Sequence, residues 1–113
     1  MTIQIRRQDG IVILEPNGRI VGAAASELRK TLVGQIASDD DPRMLINFKN
    51  VHRIDSIGLS VLVEAHIAVM KKKGRIGMIH IGKHIKNVIV ITRIVHLFEI
   101  FDSEDSAILA LSA

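Results

Sequence analysis

The residue types best suited to chemistry lie together in Val51-His52-Arg53-Ile54-Asp55-Ser56-Ile57-Gly58-Leu59-Ser60-Val61-Leu62. A short apolar stretch gives way to Asp55-Ser56, residues that open helices because their side-chain oxygens accept from first-turn N–H groups. Those N–H groups have no intrahelical partner and lie at the positive end of the helix dipole. A phosphate on Ser56 would meet favourable donors there. Gly58, in the first turn, keeps a side chain from crowding that end. Two readings compete. In one, Asp55 or Ser56 is only an N-cap. In the other, Ser56 is a modifiable alcohol, and the chain is the substrate of another protein's chemistry.

The helix that follows favours the second reading. At about 100° per residue, Leu59, Leu62, Val63, His66, Val69 and Met70 form one stripe that accounts for a core. The opposite face holds Ile57, Ser60, Val61, Glu64, Ile67 and Ala68. Either the helix is buried all round, or this second stripe docks a partner. The docking reading makes Ile57, Ser60, Val61 and Glu64 the expected partner face, with Ser56 at its rim. Phosphorylation would add about −1.5 to −2 charge beside a surface that must shed water to bind. Asp55 would add repulsion. The free hydroxyl binds and the phosphate blocks.

Other chemistry is poorly supplied. Cysteine is absent, so disulfides and thiolate catalysis are excluded. His80 and His84 are separated by Gly82 and lack neighbouring carboxylates, so no metal and no cofactor are expected. His66, on the core stripe, reads as a satisfied, partly buried histidine. There is no phosphate-binding glycine loop and no nucleophile elbow. Glu27 and Glu64 are isolated carboxylates, so no acid–base pair forms and no enzyme is expected. A net charge of +3, three Phe, and neither Trp nor Tyr give little for nucleic acid to stack on. Lys71-Lys72-Lys73, Arg75, Lys83, Lys86 and Arg93 read as charged helix ends, so direct nucleic-acid binding is not expected. Met1 to Arg7 alternates polar and apolar residues without the apolar core of a signal peptide. No apolar run approaches the roughly 20 residues of a membrane span. The expectation is a cytoplasmic protein.

The elements that must carry Ser56 follow from periodicity. Thr2 to Gln8 alternates as a half-buried strand, and Asp9-Gly10 is a hairpin turn. Ile11-Val12-Ile13-Leu14 is a run suited to a strand covered on both faces, and Pro16-Asn17-Gly18 is a turn. Ala23 to Ala37 is helical, with Leu28, Leu32, Val33 and Ile36 on one side. Met44 to Phe48 is a strand. Val51 to Ser56 leads into a helix over Ser56 to Lys72, closed by Gly74. Arg75 to Ile81 is a strand, Lys83 to Arg93 a helix, Leu97 to Phe101 a strand. Asp102 or Ser103 caps a last short helix. The order β-β-α-β-α-β-α-β-α predicts a single α/β domain over 1–113, a mixed sheet with about four helices.

This plan, with Asp55-Ser56-Ile57-Gly58-Leu59 after a short apolar strand, resembles the STAS domain of bacterial anti-sigma factor antagonists. Gly18 after the second strand, Gly74 before the Arg75–Ile81 strand and a late Leu97-Phe98 strand extend the resemblance over the whole chain. The resemblance implies that Ser56 is phosphorylated by an anti-sigma factor that is also a serine kinase, with Asp55 and Gly58 shaping the site. It implies that the unphosphorylated form binds that kinase and frees a sigma factor, and that a separate metal-dependent phosphatase of the PP2C type resets it. Two departures stand out: Ile57 replaces a frequent Ser or Thr, and Arg19-Ile20-Val21-Gly22 replaces a loop that often carries a carboxylate. Two further functions fit the same fold, an unswitched scaffold subunit and a small-molecule or lipid-transport accessory.

Overall fold

A computed structural model describes residues 1–113, the side chain of Val95 excepted. The chain runs β1 (Thr2–Gln8), β2 (Ile11–Ile20), α1 (Gly22–Ala37), β3 (Arg43–Asn47), β4 (Val51–Ile54), α2 (Ser56–Lys71), β5 (Arg75–Ile79), α3 (Lys83–Ile91), a 3-10 turn (Ile94–Leu97), β6 (Glu99–Phe101) and α4 (Glu104–Leu111). The sheet order is β1-β2-β3-β5-β6, and β4 pairs with the far end of β2. Only β1 is antiparallel to its neighbour; β2 with β3 and β4, β3 with β5, and β5 with β6 are parallel. This is the expected mixed α/β sheet with four helices.

Alternation along the strands divides the core in two. Val12 and Leu14 of β2, Met44 and Ile46 of β3, and Ile76 and Met78 of β5 join Leu28, Leu32, Leu62, Val69, Ile85 and Ile89 of α1, α2 and α3. Ile11, Ile13, Leu45 and Ile79 turn the other way, onto Ala107, Ile108 and Leu111 of α4. The uninterrupted Ile11–Leu14 run is thus covered on both faces. Ser103 caps α4 with a reciprocal side-chain pair to Ser106.

Four details differ from the sequence expectation. Pro16-Asn17-Gly18 is not a turn: β2 runs through it, and Gly18, at φ +115, sits where the register shifts between Gly18 and Arg19. The turn-like residues mark a bulge where β2 leaves β1 and takes up β4. Val51–Ile54 is itself a strand, too short to show a period. Helix α2 ends in a Schellman arrangement: Lys73, at φ +57, is the left-handed residue, with Lys73 N–H donating to Met70 O and Gly74 N–H to Val69 O. Gly74 is needed instead for close approach, since a Cβ there would lie 2.1 Å from the Pro42 carbonyl oxygen. The Arg75 strand and the Lys83 helix stop early, at Ile79 and Ile91, where His80 and Arg93 take positive φ.

Candidate functional site at the start of α2

Strands β2 and β4 end side by side, with Ile20 opposite Ile54 and both buried. Each strand then turns directly into a helix, so the first turns of α1 and α2 lie at one end of the sheet. Asp55 joins them. Its Oδ1 accepts from Gly58 N–H at 2.8 Å as the N-cap of α2. Its Oδ2 accepts from Gly22 N–H at 3.0 Å, in the first turn of α1. Its own N–H donates to Ile20 O. The Gly58 bond holds the Asp55 carboxyl below the usual carboxylate range; burial opposes this, and N–H groups of Gly22 and Ile57 reinforce it.

Gly58 has a different reason from the one its sequence position suggests. A Cβ there would lie 2.5 Å from Ile20 O and 2.6 Å from Ile54 Cγ1. The missing side chain lets α2 sit down on β2 and β4; it does not clear space for an incoming molecule.

Ser56 is the first helical residue and is exposed. The capping reading of Ser56 fails, because Asp55 does the capping. Among the described residues no hydrogen bond to the Ser56 hydroxyl is present, while its carbonyl accepts from Ser60 Oγ at 2.9 Å. Ser60 and Glu64 are exposed on the following turns, and Glu64 forms an ion pair with Arg29 Nε at 2.8 Å. Ile57 is 50% exposed and Ile67 47%.

Val61 departs from the expected partner face. It is 4% exposed, in the seam between α2 and α1 with Leu32 and Ile36. Helix α2 lies over the sheet between α1 and the 3-10 turn, so a two-face projection misassigns its flanks. The outward face is narrower than expected, running Ile57, Ser60, Glu64, Ile67. Conversely Met70, assigned to the core stripe, is 42% exposed.

The other flank of α2 bounds an open groove. Ser56, Leu59, Ser60 and Val63 form one wall, Thr92 and Ile94 the other. Thr92 and Ile94 were not expected here; they come from the end of α3 and the turn after it, a placement that only the tertiary fold creates. Further along α2, His66 tilts against Phe98 with ring centroids 5.7 Å apart. Among the described residues its buried Nδ1 has no hydrogen-bond partner, unlike the satisfied histidine the sequence suggests. On the opposite strand face, Arg19 and Arg53 are exposed and directly opposite each other in the β2–β4 ladder. Among the described residues no cluster of His, Asp and Glu could hold a metal, and no helix is long and apolar enough to cross a membrane.

Comparison with known proteins identifies the fold and the family. No curated protein sequence matches the chain. The fold is similar to that of an anti-sigma factor antagonist from Mycobacterium paratuberculosis, at 23% identity and a TM-score of 0.86, covering 99% of this chain and 94% of that one. It is similar to the Bacillus cell fate determinant SpoIIAA in its phosphorylated form, at 15% identity and 0.75, covering 96% and 98%. It is also similar to part of the murine solute carrier 26 family member A9 anion transporter, at 17% identity and 0.81, covering 94% of this chain and 18% of the transporter. The STAS domain profile matches residues 2–107. With that match spanning the strands, the helices and the Asp55–Gly58 junction alike, the chain belongs to the STAS domain family.

Proposed function

We propose that the chain is an anti-sigma factor antagonist controlled by phosphorylation of Ser56. The unphosphorylated form binds an anti-sigma factor that is also a serine kinase, so releasing a sigma factor. Phosphorylation by that kinase blocks rebinding, and a PP2C-type phosphatase restores the hydroxyl. The observation that carries the proposal is the division of labour at the helix start. Asp55 satisfies the backbone donors, which leaves the Ser56 hydroxyl exposed and without structural work, beside the half-exposed Ile57. Likeness to anti-sigma factor antagonists and to a phosphorylated one supports the same reading.

The docking surface in this proposal is Ile57, Ser60 and Glu64 with the flanking groove, and Val61 acts from beneath by fixing α2 on α1. A phosphate at Ser56 would put about −1.5 to −2 charge on this surface, next to the Asp55 carboxylate. Both charges would have to lose water when a partner covers Ile57 and Leu59. Arg19 and Arg53, exposed and opposite each other at this end of the sheet, would favour an acidic partner surface facing them.

The test is incubation with an ATPase-fold serine kinase and MgATP, followed by intact mass. A single phosphate is expected, lost in Ser56→Ala. With unmodified protein, Ser56→Ala should bind the partner as the parent does, and Ser56→Asp at least about tenfold more weakly, a loss of about 1.4 kcal/mol. Equal affinities would refute the charge mechanism. Likeness to a transporter's domain favours a second reading, an unswitched accessory subunit, which predicts no phosphate and no effect of either substitution.

A further inference from the structure

Strand β1 forms one edge of the sheet, and six of its seven residues are exposed, Ile3 being half-buried. Open edges of this length invite a second strand, and proteins usually guard them with a proline, a bulge or charges directed along the edge. Here β1 has no proline, and its register with β2 is continuous from Thr2 opposite Asn17 to Gln8 opposite Ile11. Its two charges are drawn away from the edge. Arg6 turns to one face of the sheet and pairs with Glu104 of α4. Arg7 turns to the other and donates to Gln35 of α1 at 2.9 Å. What remains at the centre of the strand is Ile5, 45% exposed.

We propose that β1 pairs with β1 of a second copy of this chain, antiparallel about a two-fold axis at Ile5, joining the two sheets into one. The sequence selects this register. With Ile5 opposite Ile5, Gln4 faces Arg6, Ile3 faces Arg7 and Thr2 faces Gln8. All seven residues pair, and no like charges are opposed. Moving the axis one residue toward the C-terminus leaves Thr2 and Ile3 beyond the paired strand. Moving it the other way leaves Arg7 and Gln8 beyond the paired strand. Side chains directly opposite in such a pair interact, so the two Ile5 residues would cover each other. Strand addition alone buries less than the roughly 1,200 Å² of a standard stable interface. The dimer is therefore expected to be weak and concentration-dependent.

The chain has no cysteine, so single-cysteine variants report the register directly. Opposed Cα atoms in an antiparallel pair are about 4.5–5.5 Å apart, within disulfide range. Residues 3 and 3 of the two copies would be about 13 Å apart in this register. Under mild oxidation Ile5→Cys is expected to form a disulfide dimer at least about tenfold faster than Ile3→Cys or Arg7→Cys. Mixed Ile3→Cys and Arg7→Cys proteins should cross-link to each other. In sedimentation equilibrium the parent mass should rise with concentration, and Ile5→Lys, which opposes two ammonium groups, should abolish the rise while leaving the circular dichroism spectrum unchanged. A parent that stays monomeric to about 1 mM, equal cross-linking at all three positions, or a dimer indifferent to Ile5→Lys would each overturn the proposal. None of these readouts depends on Ser56.

Discussion

Gly58→Ala is the sharpest probe of how the start of α2 is built. The new methyl would lie 2.5 Å from Ile20 O and 2.6 Å from Ile54 Cγ1, almost an ångström inside ordinary contact. One obstacle is backbone, which cannot swing aside, so either α2 lifts or β2 shifts. Overpacking of this kind costs about 1–3 kcal/mol, and the backbone clash places it near the upper end. Against it runs the helix propensity of alanine over glycine, worth about 1 kcal/mol. The net expectation is a loss of about 2 kcal/mol, or a melting temperature lower by about 8 °C for a domain of this size. Lifting α2 also pulls Gly58 N–H from Asp55 Oδ1. Urea denaturation of the parent and the variant measures the loss. Gly34→Ala is the control: it lies in α1 with nothing within 4 Å of its Cβ, so propensity acts alone. That variant should gain about 0.5–1 kcal/mol. If Gly58→Ala also gains stability, α2 does not need the close approach, and the positioning argument for Ser56 fails.

Three further outcomes follow from the geometry. Asp55 has a folded-state carboxyl below its ordinary value, so its contribution is present above the unfolded pKa of about 3.9 and lost as pH falls through the lower folded value. The stability gap between the parent and Asp55→Asn should be constant near neutral pH and close in acid, read by denaturation at stepped pH; a gap that widens in acid contradicts the sign. Lys73→Gly relieves a left-handed lysine and should stabilise by about 0.5–1 kcal/mol in the same assay. Glu64→Gln removes an exposed ion pair to Arg29 and should change stability by less than about 0.5 kcal/mol, which leaves it free to report partner binding.

The sequence makes the fold class and the start of α2 at Asp55-Ser56 readable, because both rest on local signals. Ile11–Leu14 shows a doubly covered strand, Asp9-Gly10 a hairpin, and Asp55-Ser56 a helix start. What it hides is set by neighbours in space. Val61 lies on the outward stripe of an isolated helix, and only the packing of α1 against α2 buries it. Pro16-Asn17-Gly18 has turn chemistry, yet β1 on one side and β4 on the other hold it in a strand. Gly58 is legible as a constraint, but the constraint comes from Ile20 and Ile54 below it. That Asp55 reaches Gly22, far away in sequence, follows from β2 and β4 ending together, which no local pattern records.

The same geometry says where a phosphate on Ser56 would act. A dianion at the first helical position sits at the positive end of the α2 dipole and favours the helix, by about 0.3–1 kcal/mol at an exposed site. The Asp55 carboxylate works against it, but that carboxylate is already held by two backbone N–H groups and stays in place. The two effects nearly cancel, so phosphorylation should leave the fold intact and shift the melting temperature by no more than about 4 °C. A large loss of partner affinity together with an unshifted melting curve would locate the switch at the docking surface. A phosphorylated protein that melts far lower, with α2 exchanging its amides, would mean that the phosphate works by unfolding the helix start, and the surface-charge mechanism would have to be abandoned.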